Sequence, residues 1–190
     1  MTLRLDLLRH GETEHGGGLR GSLDDALTPL GWQQMRDAVA TPQAWDRIVS
    51  SPLQRCARFA EELAMRLSLP MHLEPGVQEL HFGDWEGVNT ALLMETDAEG
   101  LGRFWENPYT FTPPNGEPVV AFSERVLDAV RRLQAAHEGE RVLLVCHGGV
   151  MRLLLAQARG LPREQLLQVV VGHGERFSIN VDAHGVLTEA

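Results

Sequence analysis

Two short runs of the chain place a histidine at the end of an apolar stretch. Leu3 to Gly11 reads Leu-Arg-Leu-Asp-Leu-Leu-Arg-His-Gly, and Arg141 to Gly149 reads Arg-Val-Leu-Leu-Val-Cys-His-Gly-Gly. In the first, Leu3, Leu5 and Leu7 alternate with Arg4 and Asp6 until Leu8 breaks the alternation, the pattern of a strand buried toward its end. Each run stops at His-Gly, and Gly11 permits a sharp turn and close approach of a ligand. Ligands of open α/β sheets bind beyond the carboxyl ends of the strands. Parallel placement of the two runs therefore brings His10 and His147 out at one edge, with Arg9 beside them. Two imidazoles and a guanidinium there describe an anion site that contains a nucleophile.

Two further residues complete a possible reaction. Arg55 falls in the first turn of a helix after the short strand Arg47 to Ser50, and Glu79 falls in the irregular segment from Val77 to Gly87. Phosphoryl transfer needs a nucleophile, positive groups on the equatorial oxygens and a proton donor for the leaving oxygen. A neutral imidazole attacks phosphorus competently, and the planar forks of arginines bond two phosphate oxygens at once. The helix starts near Arg55 and His147 add favourable N-terminal dipoles. Glu79 is placed to protonate the departing alkoxide and then to deprotonate water. This chemistry requires neither a metal nor a cofactor. In the competing reading the two histidines hold zinc with a carboxylate. The flanking arginines would repel that cation, and a chelator test separates the two readings.

The remaining histidines, His15, His72, His81, His137, His173 and His184, are read as surface or structural. His81 and His173 are the two among them that are candidates for lining a pocket. Trp105 is a candidate contact for an aromatic substrate, whereas Trp85 is assigned to core packing.

Taken in order, these pieces resemble a known family. Leu8-Arg9-His10-Gly11-Glu12-Thr13 is similar to the Arg-His-Gly signature of the histidine phosphatase superfamily, which includes the cofactor-dependent phosphoglycerate mutases. Leu27-Thr28-Pro29-Leu30-Gly31 resembles the family's step into its first helix, and Ser50-Ser51-Pro52-Leu53-Gln54-Arg55 its second-arginine motif. Glu79 with Phe82-Gly83-Asp84-Trp85-Glu86-Gly87 resembles its acid motif, and Cys146-His147-Gly148-Gly149 its second-histidine motif. Arg-His-Gly alone is weak; all the motifs in order, spread over nearly the whole chain, are specific. The resemblance implies that His10 is transiently phosphorylated and that Arg9, Arg55 and His147 hold the phosphoryl group. It implies Glu79 as general acid and then base, and a three-layer α/β/α sandwich with a mostly parallel central sheet. The chain also departs from the pattern. Many members carry Asn five or six residues after the catalytic histidine, where this chain has His15 and Gly16. Arg20 and Ser22 are the candidates to supply the missing phosphate contact. Phe59 replaces a common threonine and is read as a packing change.

The elements that position these residues follow from pattern. Glu12 to Leu27, with Gly16-Gly17-Gly18, is a flexible loop beside His10. Thr28-Pro29 caps and opens a helix that Thr41-Pro42 ends. A second helix from Ser51-Pro52 has an apolar face that includes Leu53, Ala57, Ala60, Leu63, Ala64 and Leu67 at helical spacing, and Leu69 to Leu73 is a third strand. Residues 88–116 are expected to form a lid-like insertion over the site, with short helical pieces at Ala91–Met94 and Phe104–Trp105. Pro118 opens an amphipathic helix, Val142 to Cys146 is the fourth strand, and a helix through Met151 and Leu155 ends at Gly160. Leu166–Val171 and Arg176–Val181 are expected as two final strands, followed by a turn and a short tail. The alternation of strand and helix over residues 1–190 argues for one α/β domain.

Composition sets the outer bounds. At 190 residues and 43% hydrophobic content, the chain supports a substantial core. Its formal net charge of −9 disfavours nucleic acid or an anionic membrane surface as a partner. A local arginine cluster still serves a small-molecule phosphate ester. Cys56 and Cys146 are read as buried free thiols. The first strand begins at the N-terminus without a signal peptide, and no segment approaches the roughly 18 apolar residues of a membrane span. A cytoplasmic protein is expected.

The chain is short beside the cofactor-dependent mutases, whose extra segments exclude water, so water is the expected acceptor and the activity a phosphomonoesterase. The stretch from Gly16 to Thr28 resembles bacterial α-ribazole-5′-phosphate phosphatases of cobalamin biosynthesis. The alternatives are a broad-specificity or sugar-phosphate phosphatase, a mutase, or a non-catalytic phospho-ligand binding module.

Overall fold

A computed structural model describes residues 1–41 and 43–190. Pro42, expected at the end of the first helix, lies outside the described residues. Among the described residues, six strands make one mixed sheet in the order β3-β2-β4-β1-β5-β6. They are β1 (Leu3–Arg9), β2 (Arg47–Ser50), β3 (Met71–Leu73), β4 (Arg141–Cys146), β5 (Arg176–Val181) and β6 (Leu187–Glu189). The first four run parallel, whereas β5 pairs antiparallel with β1 and β6 antiparallel with β5.

Side-chain alternation decides what each face packs against. Leu3, Leu5, Leu7, Val142 and Leu144 point to one face, under α5 (Val119–Ala136) and α6 (Gly148–Ala158). Leu8, Ile48, Leu143 and Val145 point to the other, under α1 (Pro29–Ala38) and α2 (Gln54–Leu67). The result is the expected α/β/α sandwich. Thr28 caps α1 by accepting from Gly31 N at 3.0 Å, with Pro29 in the first position. Phe59 is buried against Trp32, their ring centroids 5.8 Å apart.

Residues 88–116 contain α3 (Thr90–Thr96), α4 (Ala98–Glu106) and a single 3-10 turn at Pro108–Thr110. Each piece starts at a side-chain cap: Asn89 accepts from Ala91 N, Asp97 from Gly100 N and Asn107 from Tyr109 N. Leu93, Leu101 and Phe104 anchor the segment in the core. Trp85 is buried there edge-on to Phe104 and stacked on Phe111, as its packing role required.

Two expectations for the C-terminal part are corrected. Leu166–Val171 is not a strand of the sheet. Residues Arg163–Gln168 form a 3-10 turn that starts after Pro162, and among the described residues Val169 to Val171 pairs with no strand. The carbonyls of Val169 and Val171 accept from Arg152 and Arg9 instead of from a neighbouring strand. The short tail, in turn, is β6, folded back on β5 by a turn in which Asp182 accepts from His184 N and Val186 N. No helix among the described residues is long and apolar enough to cross a membrane.

Asp6 interrupts the apolar run of β1 because it has a structural task. Its carboxylate is fully buried and accepts from Trp45 Nε1 at 2.7 Å, Arg141 Nε at 2.8 Å and Ser178 Oγ at 2.5 Å. Burial pushes its pKa up, but these hydrogen bonds and the Arg141 charge outweigh burial and hold it below the ordinary value. A folded-state pKa below the unfolded one contributes stability that is fully present above the unfolded pKa and is lost as pH falls through the folded one. Asp6→Asn is therefore expected to lower stability by about 2–4 kcal/mol at neutral pH. Urea denaturation at pH 7 and near pH 3 should show the difference between the two proteins shrinking in acid.

Candidate active site

The parallel register does the positioning. Arg9 pairs with Cys146 and Ser50 with Val145, so the ends of β1, β4 and β2 lie side by side. The ladder continues one residue past the strands, with His10 N donating to Cys146 O at 3.1 Å and Ser51 N to Val145 O at 3.0 Å. His10 and His147 consequently meet, their ring centroids 5.3 Å apart at an interplanar angle of 64°. Gly11 is needed for a reason other than a turn or a ligand. A β-carbon there would stand 2.1 Å from Gly31 O, and one on Gly31 would stand 2.1 Å from Glu12 O. The two glycines let the chain after His10 cross the start of α1.

His10 is almost completely buried, and its Nδ1 lies 2.8 Å from Gly11 O. A carbonyl only accepts, so Nδ1 carries the proton and Nε2 keeps the lone pair. Burial, and then the positive charge of Arg55, push its pKa well below the ordinary histidine value, with Arg9 adding to the effect. The ring is thus a neutral imidazole at physiological pH. His147 is fully buried and its pKa is likewise driven well down, first by burial and then by Arg55 and His10. Its Nε2 lies 2.7 Å from Ser51 Oγ. Cys56 packs against the same ring, and burial raises its thiol pKa to about 12, which leaves it inert.

The two arginines arrive from different layers. Arg55 is fully buried at the start of α2; its Nη1 donates to Leu23 O at 2.6 Å and its Nη2 to Gly21 O at 2.9 Å. Arg9 Nη1 donates to Val171 O at 2.6 Å. Among the described residues, Nε of each is a buried donor without an acceptor. Such donors beside a neutral imidazole are suited to an incoming anion.

Arg20 and Ser22 are close by but are fastened to the loop that carries them. Arg20 Nη2 donates to Gly16 O at 2.7 Å and its Nε lies 3.0 Å from Asp25 Oδ2. Ser22 Oγ donates to Glu86 Oε2 at 2.8 Å, while Glu86 Oε1 accepts from Gly21 N, Ser22 N and Phe82 N. Glu86 thereby ties the glycine-rich loop to the segment that holds Glu79. Burial alone would raise the Glu86 pKa; the hydrogen bonds from Ser22 and Phe82 outweigh it and hold the value low.

Glu79 faces α6. Its Oε2 accepts from Gly149 N at 2.8 Å and its Oε1 from Leu80 N at 2.9 Å. Arg125, on α5, anchors the backbone beneath it by donating to Gly76 O, Gln78 O and Glu79 O, with Glu117 pairing its other edge. Gly149 is glycine because a β-carbon there would stand 2.2 Å from Glu79 Oε1. Gly149→Ala should leave α6 intact, alanine being the better helix former, yet displace the carboxylate. The expected loss in kcat is about 100-fold with an unchanged melting temperature, read by steady-state kinetics and calorimetry on the same preparation.

His173 is exposed, with its ring 5.8 Å from that of His10, so it lies at the rim of the site. His81 is exposed, and its Nδ1 accepts from Gly83 N within a turn. Trp105 joins Phe82, Phe104, Leu166 and Leu167 in an apolar recess that opens beside Glu79, Gly149 and Arg152. Among the described residues, no group of three or more His, Cys, Asp and Glu side chains is placed to hold a metal ion. Ser51, Arg125 and Arg152 were not singled out by sequence. Ser51 stands in a quoted motif, and Arg152 lies one helical turn beyond Gly148, on its face. Nothing local marks Arg125 for this task, because the three carbonyls it holds, those of Gly76, Gln78 and Glu79, lie 46 to 49 positions away.

Residues 5–188 match the profile of the Histidine phosphatase superfamily (branch 1). The adenosylcobalamin/alpha-ribazole phosphatase of Escherichia coli (strain K12) is 32% identical over 184 residues, covering 95% of this chain and 91% of that protein. The glucosyl-3-phosphoglycerate phosphatase of Mycolicibacterium vanbaalenii is 36% identical over 195 residues, covering 95% and 84%. The crystal structure of the alpha-ribazole phosphatase from Shigella flexneri superposes with a TM-score of 0.84 at 31% identity, covering 98% of this chain and 94% of that one. With sequence, fold and strand-end histidines in agreement over nearly its whole length, the chain belongs to the histidine phosphatase superfamily and is a phosphatase.

Proposed function

We propose that the protein is a phosphomonoesterase in which Nε2 of His10 accepts the phosphoryl group and water then removes it. Arg9, Arg55 and His147 hold the phosphoryl oxygens through the transfer, and Glu79 protonates the leaving alkoxide before deprotonating the attacking water. The observation that carries this reading is the neutral His10 ring, locked by Gly11 O with its lone pair on Nε2 and flanked by buried guanidinium donors. Arg20 and Ser22 contribute indirectly, by fastening the loop whose carbonyls fix Arg55.

The preferred substrate is α-ribazole-5′-phosphate. Support comes from the loop between Gly16 and Thr28, from the E. coli relative and from the apolar recess beside Glu79, which suits an aromatic base better than a polyol. The M. vanbaalenii relative supports a second reading, a sugar-phosphate phosphatase. A panel of α-ribazole-5′-phosphate, glucosyl-3-phosphoglycerate, glucose 6-phosphate and p-nitrophenyl phosphate separates the two. The nucleotide is expected to lead in kcat/KM by about tenfold or more. A lead for glucosyl-3-phosphoglycerate replaces the first reading with the second.

A further inference from the structure

Arg152 stands where the phosphate-binding groups meet the apolar recess. Gly148 is pinched between two guanidiniums: a β-carbon there would lie 3.0 Å from Arg9 Nε and 3.1 Å from Arg152 Nη1. One short segment holds both, Val171 O accepting from Arg9 Nη1 at 2.6 Å and Val169 O from Arg152 Nε at 3.0 Å. Among the described residues, Arg152 has no carboxylate partner, and its two terminal nitrogens make no hydrogen bond. It also forms part of the recess wall, together with Glu79, Phe104 and Trp105. Two like charges held side by side are costly unless an oxygen-rich ligand comes between or beside them. The terminal nitrogens of Arg152 are therefore free donors between the reacting phosphoryl group and an apolar seat.

We infer that Arg152 is a specificity-determining residue that hydrogen-bonds oxygen atoms in the alcohol half of the substrate. These oxygens lie between the phosphoryl group and an apolar ring seated near Phe104 and Trp105. The inference rests on the phosphomonoesterase reading and sharpens it: the fitting substrate is a nucleotide-like ester, with phosphate, oxygen-bearing sugar and apolar base in that order. A simple aryl phosphate satisfies the two ends and leaves Arg152 unpaired.

The test compares the unaltered protein with Arg152→Met and Arg152→Lys on α-ribazole-5′-phosphate and on naphthyl phosphate, which has no sugar. In Arg152→Met the ratio of kcat/KM between nucleotide and aryl ester is expected to fall about tenfold or more, chiefly through KM, with partial recovery in Arg152→Lys. Calorimetric binding of the phosphate-free nucleoside, a readout that a purely structural role leaves unmoved, is expected to weaken by a similar factor. Equal losses on both esters with unchanged nucleoside binding overturn the inference, as does no loss on either. Should Arg152→Met fail to fold, Arg152→Gln takes its place in the comparison, with the same fall in the ratio expected and partial recovery in Arg152→Lys. If the unaltered protein does not prefer the nucleotide but the ratio still shifts, Arg152 keeps its role and the α-ribazole reading falls. If the preference is present and the ratio is unmoved, the reverse holds.

Discussion

Replacing His10 with alanine is expected to lower kcat/KM by about 10⁴-fold or more. The reason is the division of labour at the ends of β1 and β4. Gly11 O fixes the His10 ring and its tautomer, and the arginines on either side have other anchors, Val171 O for Arg9 and the carbonyls of Gly21 and Leu23 for Arg55. On the proposed mechanism, removing the imidazole removes the group that forms the new bond but leaves the oxygen-binding groups in place. His10→Ala should accordingly still bind inorganic phosphate, with an affinity within about tenfold of the original by calorimetry. The same geometry sets the pH response. Burial and the nearby guanidiniums push the His10 pKa down, so the neutral, nucleophilic ring persists on acidification past the ordinary value of about 6.5. Titration of the ring by NMR should place its transition below that value. A protonated His10 at neutral pH contradicts the nucleophile assignment.

Glu79→Gln is expected to reveal the proton donor through its dependence on the leaving group. Glutamine retains one oxygen to accept from Gly149 N or Leu80 N but carries no acid proton at the carboxyl position. Loss of general acid catalysis should cost about 10²- to 10⁴-fold in kcat for an alkyl phosphate, whose leaving alkoxide needs a proton. With p-nitrophenyl phosphate the first transfer should remain fast, because the phenolate leaves unaided. Breakdown of the phosphoenzyme should then become slow, and a burst of nitrophenolate equal to the enzyme concentration is the signature. Equal losses on both esters and no burst would assign the proton to another group, with Glu86 excluded by its ties to the Ser22 hydroxyl and three backbone donors.

The parts that could be read from sequence are those whose physics is local. Leu3, Leu5 and Leu7 announce β1 by alternation, and the run Val142 to Cys146 announces β4 by continuous burial between two helical layers. Thr28-Pro29 signals the start of α1 through a cap that the structure contains. The strand-end rule then brings His10 and His147 together, although 137 positions separate them in the numbering. What could not be read depends on distant partners. Val169 to Val171 has strand composition, but its carbonyls serve two arginines from β1 and α6. Asp6 reads as an interruption until Trp45, Arg141 and Ser178 are seen to converge on it. Gly11 suggests a turn, whereas the crowding that requires it comes from Gly31. Arg20 and Ser22 have the right chemistry for phosphate, but their contacts to Asp25 and Glu86 depend on the folded loop and are not legible in the sequence.

The most direct test of the account is to trap the intermediate. Rapid acid-free quenching of the enzyme during turnover of a phosphate monoester, followed by peptide mapping, should find one phosphoryl group per chain. That group should be on His10, labile to acid and stable to alkali, and absent from His10→Ala. A phosphoryl group on any other residue would name a different nucleophile, and none at all during turnover together with inversion at a chiral phosphorus would show that water attacks the ester directly; either result contradicts His10 as the nucleophile.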